Sequence, residues 1–354
     1  MTGGAACLAP VASWLAKRGD VDAICLAGPA AMTAFASLGA HPEPVGAGDD
    51  ADAVSLLRSF APDVVVAGAV GSIDHGLDYR LVRAAGRLSI PRVMILDSWM
   101  HLIARFALRK GRVEPDALPE AICVMDEPTA AELRAGGVPS KLVTVTGHPL
   151  VQWLRASQEK AEPRRSSRPR WVFFSEPLST YYKGRDDAPG YDEHEAFSLA
   201  CSAASKISPA PEIVVKEHPR LATLAGSAVV QAARVEGGIL FAPVQADPYA
   251  LLRGADVVLG MSSSMLVWAF LLGKTVIAVQ PGITPDADFN ILTRRGFLRN
   301  VQSAEALRDA ALRGVDQKLL ESAREFFGWE TPTSARCATV IDKAASRAFS
   351  RQTG

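Results

Sequence analysis

The chain lacks a net charge: its 354 residues carry 38 basic and 38 acidic side chains. A balanced chain has no bulk attraction for nucleic acid or anionic lipid, so any anion site must be built by local placement. Paired cysteines are missing too. The five present (Cys7, Cys25, Cys123, Cys201, Cys337) are odd in number, scattered and without a C-x-x-C spacing. That excludes a disulfide frame or a cysteine zinc site and reads as reduced, small apolar side chains. No apolar run reaches the length of a membrane span. The N-terminus has no basic region followed by an apolar block, which argues against a signal peptide. These absences predict a cytoplasmic protein with at most peripheral membrane contact, through a partner or a lipid-linked substrate. There is no internal repeat or low-complexity tract. Gly273-Lys274-Thr275 is not a phosphate loop, because the upstream glycine spacing is absent and the order is helix to strand.

What the chain does have is a hydrophobic content of 48% against 21% charged, enough length for two cores, and a recurring pattern. Short apolar runs without alternation stand at Ala23–Ala27, Asp63–Ala67, Arg92–Leu96, Ala121–Met125 and Leu142–Thr146. Such runs suit parallel strands covered on both faces. Between them, Ala51–Phe60 and Leu77–Leu88 space their apolar residues as helices do, giving a βαβ pattern and a doubly wound sheet. Residues 157–170 are polar, charged and proline-bearing, hence a linker. A second α/β pattern follows through Trp171–Phe174, Ile213–Lys216, Gly238–Pro243, Asp256–Leu259 and Thr275–Val279, and an amphipathic segment, Thr333–Phe349, closes the chain. The predicted class is α/β with two doubly wound, Rossmann-like domains: 1–156, then 171–330 after the linker, then a terminal helix within 331–354. One feature does not fit. The glycine-rich Thr2-Gly3-Gly4 stretch leads straight into an expected helix, Leu8–Arg18, whereas in a doubly wound domain such a turn follows a first strand. Either the domain lacks that strand or the chain begins late.

Two motifs carry the chemistry. Lys216-Glu217-His218-Pro219-Arg220 closes one expected strand, and Gly260-Met261-Ser262-Ser263-Ser264 closes another just before an expected helix, Met265–Leu272. Ligands of open α/β sheets bind beyond the carboxyl ends of the strands. The His218 imidazole can donate to a phosphate oxygen, Pro219 fixes the turn, and Lys216 and Arg220 flank it; the bland alternative is a histidine capping a strand end. Three serines exceed what capping a helix needs, though one of them can simply cap. Together the motifs read as two walls of an anion pocket for a nucleotide phosphate.

Two such domains, a central linker, motifs at the strand ends of the second domain and a terminal helix resemble the GT-B architecture of nucleotide-sugar glycosyltransferases and UDP-N-acetylglucosamine 2-epimerases. The resemblance implies an interdomain cleft, a last helix crossing back to the first domain, an acceptor-side first domain and a nucleotide-sugar-binding second one. The segment Val143 to Pro149 is similar to the stretch that ends the first domain in those proteins. Lys-x-His-Pro followed by a serine pair resembles bacterial sialyltransferases and capsule transferases, in which these motifs bind the CMP part of the donor. In UDP-sugar enzymes a glutamate just after the glycine/serine turn holds the ribose; here Trp268 stands in that place, which turns the expectation toward CMP-activated acidic sugars. The sialyltransferases' acidic catalytic motif has no counterpart in the first domain.

The expectation is therefore a metal-independent glycosyltransferase without a cofactor. It would move a sugar from a nucleotide-sugar donor to a glycan, glycolipid or glycoprotein acceptor, with no nucleic acid involved. A UDP-sugar transferase, a nucleotide-sugar 2-epimerase or hydrolase, and a non-catalytic nucleotide-sugar-binding protein are the alternatives. Transfer needs a base for the acceptor hydroxyl, and Asp74, His75 and Asp97 follow strand ends where one could stand; each is also an ordinary loop or cap residue. Trp99 is a candidate stacking platform, although a lone tryptophan is more often core. Gly3, Gly4, Ser175, Glu176 and Pro281 complete the expected cleft. The acidic and aromatic run Tyr181 to His194 reads as a solvated loop, not a metal site.

Overall fold

The computed structural model describes residues 2–46, 48–69, 76–109, 112–158, 168–219, 221–233, 235–284 and 287–352. Two compact domains emerge, the first from residues 1–156 and 325–354, the second from residues 157–324. In the first, apolar runs become β3 (Val65–Ala69), β4 (Arg92–Leu96), β7 (Ala121–Val124) and β8 (Val143–Val145), a parallel sheet in the order β3-β4-β7-β8. Val93, Met94, Ile95 and Leu96 are all buried, as a strand covered on both faces requires. One face packs Val66 and Ile95 with Cys7, Val11, Cys337 and Ile341, from the Thr2–Leu15 and Thr333–Gln352 helices. The other packs Val65 with Ala53, Leu57, Ala84 and Ala85, from the Asp50–Phe60 and Leu77–Arg87 helices.

Two small strand pairs lie outside this sheet. β1 (Leu26–Ala27) pairs parallel with β2 (Glu43–Pro44), and β5 (Ala107–Arg109) pairs antiparallel with β6 (Arg112–Val113). The strand expected over Ala23–Ala27 thus shrinks to two residues; Ile24 is 47% exposed, so the run is not covered on both faces. The expected glycine-rich turn is also corrected. Gly3 and Gly4 lie inside the Thr2–Leu15 helix. At Gly4 the small size serves packing: a Cβ placed on Gly68 of β3 would stand 3.1 Å from the Gly4 Cα. Helix and strand therefore approach backbone to backbone, which is where glycine is needed. The chain returns to the first domain at Glu325, where Gln152 Oε1 accepts a hydrogen bond from the Ser334 N–H at 3.0 Å and Arg155 pairs with Glu330.

The second domain is a six-stranded parallel sheet of β9 (Arg170–Phe174), β10 (Glu212–Lys216), β11 (Ile239–Phe241), β12 (Val257–Gly260), β13 (Thr275–Val279) and β14 (Asn300–Val301). Its order is β11-β10-β9-β12-β13-β14, with every pair parallel. Counted from β9, this is the 3-2-1-4-5-6 order of doubly wound sheets, and the winding reverses between β9 and β12. The ladder fixes what emerges there. Phe174 lies opposite Lys216 of β10 on one side and Gly260 of β12 on the other. Ser175-Glu176, Glu217-His218 and Met261-Ser262 therefore leave the sheet side by side. Behind them Phe173 packs edge-on to Phe197 at 5.2 Å, in a core shared with Trp171, Ile213, Leu259 and Ile277.

The Gly68–Gly4 approach yields a prediction. Gly68→Val places methyl groups against the helix backbone and should cost about 1–3 kcal/mol of stability, read as a lower urea midpoint at unchanged m-value. An unchanged midpoint would show that the helix moves aside freely.

Candidate functional site

The carboxyl edge of the second sheet is built from three loops. After β12, the Ser262 N–H donates to Glu176 Oε2 at 2.7 Å, and Ser262 Oγ donates to Oε1 at 2.8 Å. A carboxylate that follows β9 thus sits in the serine turn. Burial raises the pKa of Glu176, while the Ser262 donors and the Ser263 amide favour its ionised form. The other two serines are local. Ser263 Oγ accepts from the Met265 N–H at 3.3 Å, and Ser264, at the N-cap position of the Met265–Leu271 helix, makes no side-chain cap. Asn290 Nδ2 donates to the Met261 carbonyl at 2.8 Å and pins the turn from the other side.

After β10 the basic motif is held differently. Lys216 is buried, and its ammonium donates to the Val244 carbonyl at 2.9 Å. Burial lowers its pKa, with Glu217 opposing. Lys216, expected beside a phosphate, ties β10 to a neighbouring loop with its side chain. Glu217, absent from the expected site, anchors the turn. Its Oε1 accepts from the Thr223, Leu224 and Ala225 N–H groups at 2.9, 2.8 and 3.1 Å. His218 is half-buried, its backbone bridged to Leu221 and its ring edge-on to Tyr181 at 6.0 Å. Pro219 is exposed, and Arg220 lies outside the described residues. Ser175 is buried and its N–H donates to the Lys216 carbonyl at 3.0 Å, extending the ladder. Pro281 borders an open depression with Tyr191, Asp192, His194 and Gln302.

The first domain carries a second cluster at its own strand ends. Asp97, just past β4, pairs with Arg105 Nη1 at 2.7 Å, both side chains being less than a tenth exposed. Burial raises its pKa even so, with Arg105 opposing. Asp78, in the first turn of the Leu77–Arg87 helix, accepts the Gly68 N–H at 3.1 Å, and burial raises its pKa also. Sequence reasoning missed Asp78, which reads as a helix-start residue. Asp74 and His75 lie outside the described residues. Trp99 is corrected from a stacking platform to a core residue, 3% exposed. Its Nε1–H donates to Asp126 Oδ2 at 2.6 Å, and its ring stacks on His148 at 5.8 Å. His148 Nδ1 accepts the Leu150 N–H at 3.2 Å, so the hydrogen is on Nε2, 3.3 Å from the Asp97 carbonyl. Trp268, which stands where a ribose-binding glutamate was expected, is 2% exposed on a helix buried from Leu266 to Leu271. Among the described residues no group of three or more His, Cys, Asp or Glu could hold a metal ion, and no helix is long and apolar enough to cross a membrane.

This geometry, two parallel-sheet domains with functional groups at strand ends, is that of a GT-B-like α/β protein, and solved structures agree on the fold. The chain is similar to the MnaA–UDP co-structure from S. aureus, with a TM-score of 0.66 and 14% identity over 95% of this chain and 92% of that one. It is similar to the UDP-GlcNAc 2-epimerase from Neisseria meningitidis bound to UDP-GlcNAc, with a TM-score of 0.61 and 15% identity over 96% of both chains. MurG from Acinetobacter baumannii matches with a TM-score of 0.51 and 15% identity, again over 96% of both. No protein-family model matches, and no curated protein sequence matches.

Two predictions follow from these contacts. Burial holds His148 neutral, with its pKa lowered to about 4 from an ordinary 6.5. As pH falls through 6.5 the unfolded chain takes the proton and the folded one does not, so stability is lost down to about pH 4, by about 3 kcal/mol. His148→Asn keeps an acceptor for Leu150 and should lose that much less stability than wild type between pH 7 and pH 4 in urea titrations; parallel losses would refute the assignment. Removing the acceptor in Glu217→Ala leaves three amides without their partner and should cost about 1–3 kcal/mol. Hydrogen exchange should then rise at residues 223–225, and exchange rates matching wild type would contradict the anchoring role.

Proposed function

We propose that the chain is a nucleotide-sugar enzyme acting on a UDP-activated sugar, with 2-epimerase or hydrolase chemistry ahead of glycosyl transfer. The observation that carries this reading is the Glu176–Ser262 contact where the sheet reverses its winding, the usual nucleotide crevice of such sheets, with His218 leaving the neighbouring strand end. The resemblance to the MnaA–UDP co-structure and to a UDP-GlcNAc 2-epimerase bound to UDP-GlcNAc supports it over CMP-sugar transfer. The argument for CMP rests on short motifs and on the missing ribose glutamate at Trp268, and the structural likeness outweighs it in this reading.

In this reading His218 and the serine turn hold the nucleotide phosphate and stabilise the charge that develops on a leaving group. Chemistry at the sugar needs groups that give and take protons near neutral pH. Three carboxylates have pKa values raised by burial, Asp78, Asp97 and Glu176, and such perturbation marks candidate acids and bases. Asp97 is bound to Arg105 and suited to positioning. Asp78 is held by a backbone amide, that of Gly68, instead of a guanidinium and is the better candidate base.

The test is a thermal-shift series with UDP, CMP, GDP and UDP-GlcNAc, followed by proton NMR of UDP-GlcNAc incubated with the enzyme. UDP should stabilise the protein more than CMP, and signals of a C2 epimer or of released UDP should grow in. His218→Ala should weaken UDP binding about tenfold, as expected for one lost charge-assisted hydrogen bond. A preference for CMP would return the reading to acidic-sugar transfer, and no response to any nucleotide would end it.

A further inference from the structure

The Glu176 carboxylate occupies the donors that an incoming anion would use. Its two oxygens take the Ser262 N–H and hydroxyl at 2.7 and 2.8 Å, joining the end of β9 to the end of β12 across the reversal of the sheet. Two anions cannot share one pair of hydrogens at that distance. A phosphate enters this turn only after Glu176 has left it. We propose that Glu176 is a built-in competitor for the crevice, a specificity-determining side chain that excludes small free anions and admits a nucleotide. The proposal rests on the nucleotide reading of the same crevice.

The selection works through what each ligand gains. Inorganic phosphate has only the turn's own donors to gain and meets a carboxylate already bound to them. A nucleotide adds contacts through its base and sugar, and these offset the displacement. Discrimination of this kind comes from an unfavourable element set against the wrong ligand. Nor does the fold need the Glu176 link for its own integrity. β9 and β12 are already paired from Trp171 opposite Val257 to Phe174 opposite Gly260. The turn also keeps two supports of its own, Asn290 on the Met261 carbonyl at 2.8 Å and the Met265 N–H on Ser263 Oγ at 3.3 Å.

The experiment measures inorganic phosphate and UDP binding by titration calorimetry in wild type, Glu176→Ala and Glu176→Gln, with circular dichroism melts confirming that each variant is folded. Glu176→Ala should bind phosphate at least tenfold more tightly than wild type and UDP more tightly by a smaller factor, with Glu176→Gln, which loses the charge and keeps an acceptor, in between. Unchanged or weaker binding of both probes in both variants overturns the competitor. A gain for phosphate with no UDP binding in any of the three proteins keeps the competitor and ends the nucleotide reading. UDP binding that wild type shows and Glu176→Ala loses ends the competitor and leaves the nucleotide reading standing.

Discussion

The contact between Glu176 and Ser262 is the constraint around which the second domain's working edge is arranged. Where a parallel sheet reverses its winding, the crossovers on either side diverge and leave a crevice past the strand ends. Here that crevice is closed by one carboxylate taking two hydrogens from the next strand's turn. Charge-assisted bonds of this sort are short and about twice as strong as neutral ones, and a site stripped of water strengthens them further. The loops beside it are each fixed by an unrelated device: Lys216 on the Val244 carbonyl, Glu217 on three successive amides, Asn290 on the Met261 carbonyl.

How much of this was legible in the sequence follows from the range of the forces involved. The main strands were legible because burial on both faces demands uninterrupted apolar runs, as in Arg92–Leu96 and Thr275–Val279. The two-residue strand at Leu26–Ala27 falls inside a longer expected run, and Asn300–Val301 was not legible, since so few positions carry no periodicity. Local motifs marked the correct strand ends, but not what their side chains meet. Glu176 and Ser262 are 86 residues apart, and nothing near either names its partner. Asp97 and Arg105 are only eight apart, yet a loop of irregular shape brings them together and no spacing rule predicts it. Trp99 carries no local signal either way: a lone tryptophan fits a stacking platform or a core, and only the fold brings Asp126 to it as a buried acceptor for its indole.

A common thread links the two domains' chemistry. Each places carboxylates past the ends of parallel strands and shields them, so that burial works against their ionisation: Asp78 and Asp97 in one, Glu176 in the other. The opposing terms differ. Arg105 stands against Asp97, whereas backbone amides and a hydroxyl serve Asp78 and Glu176. A guanidinium keeps its charge at any working pH, so Arg105 opposes the burial of Asp97 with a fixed charge, whereas only dipoles oppose it at Asp78 and Glu176.

The first domain is discontinuous, its Thr333–Gln352 helix packing beside the Thr2–Leu15 helix and on β4 and β7. During synthesis, then, the two halves of the protein mature out of order. The second domain is contiguous from Ser157 to Arg324 and can close its core while the first still lacks a helix. Cys7, Val93 and Cys123 share their buried cluster with Cys337, Ala338 and Ile341, so that face of the first sheet is completed only once the Thr333–Gln352 helix has been made.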